Sequence, residues 1–144
     1  MTFEWFHYLN LAKELEESSR QSKEDSEFEA KSRSCISRAY YAAFHAALLY
    51  LEKKTDYLLK GNGRDSHSEV INLFKVEKNS KLRLIGTELN ELRIARTRAD
   101  YHLPCREFRS KQLMANEAKR ALTRSHSIIK SIYSLLEVSQ DIFS

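Results

Sequence analysis

Two side chains set six positions apart, Arg96 and His102, are the pair in this chain best suited to chemistry on a phosphodiester. A guanidinium supplies fixed charge and paired donors to anionic oxygens, and an imidazole gains or loses a proton near neutral pH. They stand in the run Glu91-Leu92-Arg93-Ile94-Ala95-Arg96-Thr97-Arg98-Ala99-Asp100-Tyr101-His102-Leu103-Pro104. Going backwards from Arg96, Leu92, Leu89 and Ile85 recur at helical spacing, so Arg96 continues an apolar stripe. A charge on that line is costly unless paired. Pro104 lacks an N–H and restricts Leu103, so it ends the helix. A helix closing there brings Arg96, Asp100, Tyr101 and His102 within about two turns of one another. RNA cleavage without a metal requires a base for the 2′-OH, an acid for the leaving 5′-oxygen and a cation for the phosphorane. Histidine and arginine cover these tasks. The sequence shows no clustered carboxylates of the kind that hold magnesium, no metal-ligand spacing and no glycine-rich phosphate loop. No metal and no cofactor are therefore expected, and a 2′-OH mechanism points to RNA over DNA.

The elements that must position this pair are long. With 144 residues, three Gly and one Pro, the chain is the size of one domain, 1–144, with little material for turns. Residues 2–20 carry Phe3, Phe6, Leu9, Ala12 and Leu15 at helical period, opposite Lys13, Glu14, Glu16 and Glu17. Residues 18–26 are polar and read as a connection. Residues 27–54 read as one helix of about 40 Å, with alanines alternating with aromatics in Ser37-Arg38-Ala39-Tyr40-Tyr41-Ala42-Ala43-Phe44-His45-Ala46-Ala47. Apolar residues all round make it central. Arg38 and His45 share one line on it. His45 is either a satisfied core histidine or a functional group; Arg38 is expected to pair with Asp100. Gly61-Asn62-Gly63 marks a turn, and Ser66-His67-Ser68-Glu69 opens a short helix with His67 near its start. Residues 81–101 form the next long helix. Ser110 caps the last one, 110–138. No strand pattern or repeat occurs. The expected fold is all-α, an antiparallel up-and-down four-helix bundle with a short extra helix.

Composition narrows the setting. No apolar run approaches the roughly 20 residues of a membrane span, and Met1-Thr2-Phe3-Glu4-Trp5 does not look like a secretory leader. Cys35 and Cys105 lack paired spacing, as expected of free thiols in a reducing cytoplasm. The net charge of +4 is unevenly spread. Residues 1–30 hold eight acids against three bases, and residues 93–124 hold nine bases against three acids. Basic charge gathered after Arg93 would attract a polyanion such as RNA, or simply form a solvated helix face.

Two stretches together resemble the HEPN superfamily, small all-α domains of prokaryotic toxin–antitoxin and defence systems. The first is Ser37-Arg38-Ala39-Tyr40-Tyr41-Ala42-Ala43-Phe44-His45-Ala46-Ala47, similar to the second-helix signature of that family. The second is Leu92-Arg93-Ile94-Ala95-Arg96-Thr97-Arg98-Ala99-Asp100-Tyr101-His102, similar to its arginine-to-histidine motif. The resemblance implies a helical bundle that forms a homodimer, with two motif copies facing each other in one composite site. It implies a metal-independent endoribonuclease (a hydrolase of toxin or defence type) with Arg96 and His102 catalytic. Arg98 is the second arginine, and Asp100, Tyr101, Arg38 and His45 are supporting residues. It also implies an alternative: a non-catalytic module that binds a nucleotide or a partner such as an antitoxin or nucleotidyltransferase. A third reading is a plain helical dimerisation domain. One toxin subgroup has a modifiable tyrosine two places after the histidine; here that position is Pro104.

Overall fold

In the computed structural model, residues 6–55, 66–101 and 106–143 are described, with side chains of the last helix described as far as Leu136. Among them every regular element is helical: α1 (Phe6–Arg20), α2 (Asp25–Lys54), α3 (Ser66–Lys75), α4 (Ser80–Asp100), a 3-10 turn (Arg106–Phe108) and α5 (Lys111–Phe143). The chain is all-α over these residues, as the periodicities predict. The Gly61-Asn62-Gly63 turn and the sequence Leu103-Pro104-Cys105 lie outside the described residues.

Local chemistry explains where the helices begin. Asn79 caps α4, its side chain accepting from the backbone N–H groups of Lys81 and Leu82 at 2.8 and 3.3 Å. Ser110 caps α5 in the same way, accepting from the N–H of Leu113 at 3.1 Å. Helix α2 has no side-chain cap at Glu24, but Asp25 and Glu27 lie in its first turn and Lys53 and Lys54 in its last, in the sense the helix dipole favours.

The core forms around α2, which packs against α1, α4 and α5 and touches α3. Ala39, Ala42, Ala43, Ala46 and Ala47 are fully buried. Small side chains let neighbouring helices come close, and the large ones needed to fill the space come from Leu9, Leu89, Leu92, Ile128, Ile129 and Ile132. The hydroxyl of Ser125 on α5 donates to the carbonyl of Ala39 at 2.7 Å, a buried cross-link between the two helices. Helix α2 is central, as expected, but one line along it stays partly open. Arg38 is exposed, and Tyr41, His45 and Leu49, on the same line, are only half-buried. That line is the seam where α2 faces outward.

Helix α3 lies mainly on α4, with Val70, Ile71 and Phe74 buried beneath it. Gly86 makes this approach possible. A Cβ there would stand 2.8 Å from the backbone nitrogen of Lys75 and 3.0 Å from Cβ of Phe74. Glycine is used here for space.

Candidate functional site at the end of helix α4

The stripe Ile85, Leu89, Leu92 faces the core, and Arg96 follows one turn later on the same line. Its side chain is 12% exposed. The guanidinium lies over two rings of α2, 5.3 Å from the Tyr40 centroid and 5.5 Å from that of Tyr41. Its Nη1 is 3.6 Å from Oδ2 of Asp100, an ion pair beyond hydrogen-bond length. Its Nε is buried with no hydrogen-bond partner. The charge predicted to need a partner thus has two tyrosine faces and one carboxylate. Aromatic faces attract a cation and keep water away from one side of it.

Asp100 does not pair with Arg38, as the sequence led us to expect. Its carboxylate accepts from Ser37 at 3.2 Å and faces Arg96, one helical turn before it on α4. Arg38 points outward from α2 and takes no part. The residue that holds the helix end is Arg33. Its Nη1 donates to the carbonyls of Arg98 and Ala99, both at 3.0 Å. Its other nitrogens reach Glu29, and the guanidinium stacks on Phe108 at 4.5 Å. Those carbonyls belong to the last turn of α4 and have no acceptor role within the helix. A cation there also opposes the negative end of the dipole. Arg33 is missing from the sequence reading. Its only local signal is Glu29 four residues earlier, which reads as an ordinary surface pair.

Arg98 pairs with Glu107 of the 3-10 turn at 3.4 Å. Tyr101 caps α4, its N–H bonded to the Thr97 carbonyl, and its side chain is 67% exposed. His102 lies outside the described residues, one position beyond Tyr101. His45 stacks on Tyr41 with ring centroids 6.3 Å apart and meets Phe44 edge-on at 5.3 Å. Burial lowers its pKa. It belongs to the ring cluster flanking Arg96.

His67, near the start of α3, joins the same cluster. Its Nδ1 is 2.6 Å from the Tyr40 hydroxyl, and its ring stacks on Phe44 at 4.2 Å with planes 20° apart. Burial, then the charges of Arg96, Arg93 and His45, hold its pKa down to about 4. Burial likewise pushes the Tyr40 hydroxyl up to about 12, against the opposing pull of Arg96 and Arg93. Arg93, one turn before Arg96, donates to the Ser68 hydroxyl at 2.6 Å. Arg93 and Arg96 on α4, Tyr40 and Tyr41 on α2 and His67 on α3 therefore form one cationic, aromatic cluster. An open cleft of about 320 Å³ lined by Asn90, Arg93, Ile94, Thr97 and Arg98 continues it along the outer face of α4. A separate groove of about 360 Å³ between α4 and α5, around Leu84 and Ser131, shares no residue with it. Among the described residues no three His, Cys, Asp or Glu side chains converge as metal ligands do, and no helix is long and apolar enough to cross a membrane.

No family model, no curated protein and no solved structure matches this chain.

Proposed function

We propose that this chain is a metal-independent endoribonuclease of HEPN type, acting as a toxin or defence effector in the cytoplasm. The observation that carries the reading is Arg96: a guanidinium held on two tyrosine faces in the last turns of α4, two residues after Ile94 and six before a histidine. In this reading the main helices form an antiparallel four-helix bundle, and two chains pair so that both copies of the motif share one site. Arg96 binds the scissile phosphate. His102 takes the proton from the 2′-OH as that oxygen bonds to phosphorus. The partner subunit's His102 gives a proton to the 5′-oxygen as the P–O5′ bond breaks. The products are a 2′,3′-cyclic phosphate and a 5′-hydroxyl. Arg33, Asp100 and Ser37 fix the end of α4 on which the motif stands.

The test is cleavage of single-stranded RNA by the purified protein in the presence of a chelator. Arg96→Ala and His102→Ala are expected to lower the rate by at least about a hundredfold, the usual contribution of a proton-transfer or charge-stabilising group, with helix content unchanged. Cleavage by both variants at the wild-type rate, or 3′-hydroxyl ends, would refute the proposal.

One observation favours a second reading. With its Nε buried and Asp100 beside it, Arg96 is also well placed as a structural cation. The chain would then be a non-catalytic module for a nucleotide or a partner nucleotidyltransferase, and an inert protein that co-purifies with such a partner would support it.

A further inference from the structure

His67 has no task in the mechanism above, yet its ring is among the most constrained in the cluster. Phe44 fixes its plane, and the Tyr40 hydroxyl occupies Nδ1. A buried phenol must place its proton on an acceptor, and Nδ1 is the only side-chain acceptor recorded for it among the described residues. Imidazole nitrogen is the better acceptor and phenol the better donor, so the O–H points to Nδ1. The neutral ring then carries its own proton on Nε2. Nε2 has no partner among the described residues.

We infer that His67 is a third phosphate-binding group, presenting Nε2–H beside the guanidinium groups of Arg93 and Arg96 to one phosphate of an RNA backbone. The inference rests on the reading of Arg96 as a phosphate ligand and extends it across α3. The chemistry is consistent. Among the described residues, Arg93 and Arg96 from α4, and Tyr40, Tyr41 and His45 from α2, face His67, and no carboxylate is among these groups. A second or third full cation at that point would be repelled by the two guanidinium groups. A neutral N–H donor adds a hydrogen bond without adding charge, and its aim is set in advance by Tyr40. Arg93 is tied to α3 through Ser68, so docking of α3 on α4 assembles all three donors at once.

The experiment is an NMR titration of the full-length chain with inorganic phosphate, observing the His67 ring nitrogens and the Arg96 Nε–H. The expected result is a neutral Nε2–H tautomer from pH 7 to pH 5, with both signals shifting on phosphate addition. His67→Phe, which keeps the ring on Phe44, weakens phosphate binding about tenfold, the worth of one hydrogen bond to a charged group. Tyr40→Phe leaves His67 present but mixes its tautomers, and weakens binding by less. An Nδ1–H tautomer, an unmoved His67 signal, or wild-type phosphate affinity in His67→Phe would overturn the inference. If His67→Phe fails to fold, the wild-type tautomer and titration decide alone. The two proposals fail separately: phosphate shifts without RNA cleavage end the nuclease reading, and cleavage that depends on His102 with His67 unmoved ends this one.

Discussion

Replacing Arg33 by Met tests the claim that one side chain of α2 holds the end of α4. Arg33 donates to two carbonyls of the last turn, those of Arg98 and Ala99, at 3.0 Å each. Hydrogen bonds from a charged donor contribute about 1.5–3 kcal/mol each when both partners are buried. One of these two is only part-buried, so water recovers some of the loss. Contact with the helix C-terminus adds about 0.3–1 kcal/mol, and the stack on Phe108 about 0.5–1 kcal/mol. The pair with Glu29 is half-exposed on the acid side and adds little. Met keeps the apolar stem, so the expected net loss is about 2–4 kcal/mol. For a chain of this size that corresponds to a fall in Tm of about 6–12 °C. Circular dichroism melts measure it. Hydrogen exchange over residues 96–101 locates it, because the Tyr101 N–H, bonded to Thr97, loses protection when that turn frays. Arg33→Lys keeps the charge without the fork and is expected to recover less than half of the loss. A Tm within about 2 °C of wild type, or unchanged exchange in 96–101, would refute the assignment.

Gly86→Ala is expected to destabilise the protein by up to about 2 kcal/mol. Alanine gains about 1 kcal/mol of helix propensity, but its methyl meets the Lys75 backbone at 2.8 Å and overpacking costs about 1–3 kcal/mol; urea unfolding checks the sign, and a more stable variant would show that α3 yields freely. Stability should also fall with acid through His67. Its folded pKa of about 4 lies below the ordinary imidazole value of 6.5, so between these two values the unfolded chain binds more protons and the folded state loses ground as pH drops. His45, lowered in the same direction, adds to this. Urea midpoints at pH 7 and pH 4.5 are expected to differ less in His67→Phe than in wild type; equal differences would remove His67 as a source.

Helix content was legible because it is local. The spacing of Ile85, Leu89 and Leu92, the cap at Ser110 and the Ala-rich centre of α2 each lie within a few turns of chain, and the structure agrees with the expected helices, although α5 runs on to Phe143, five residues past the expected end. What a helix shows its neighbours is less local. The alternation of alanine and aromatics in α2 marked it as central, which it is, but did not show which line stays partly open: Arg38 is exposed, and Tyr41, His45 and Leu49 are half-buried.

The sequence by itself determined that this chain is helical, that its basic charge collects after Arg93, and that Arg96 sits where the apolar stripe of α4 ends. Tertiary structure decided what Arg96 and Asp100 touch on the other helices. Across helices, the carboxylate went to Ser37 instead of Arg38, the helix end went to Arg33 across 65 residues, and the Tyr40 hydroxyl went to His67 across 27. The physical reason is that helical periodicity fixes which side of a helix is apolar. Which polar groups then meet depends on the rotation and depth at which helices pack, and side-chain volumes far apart in the chain set those jointly.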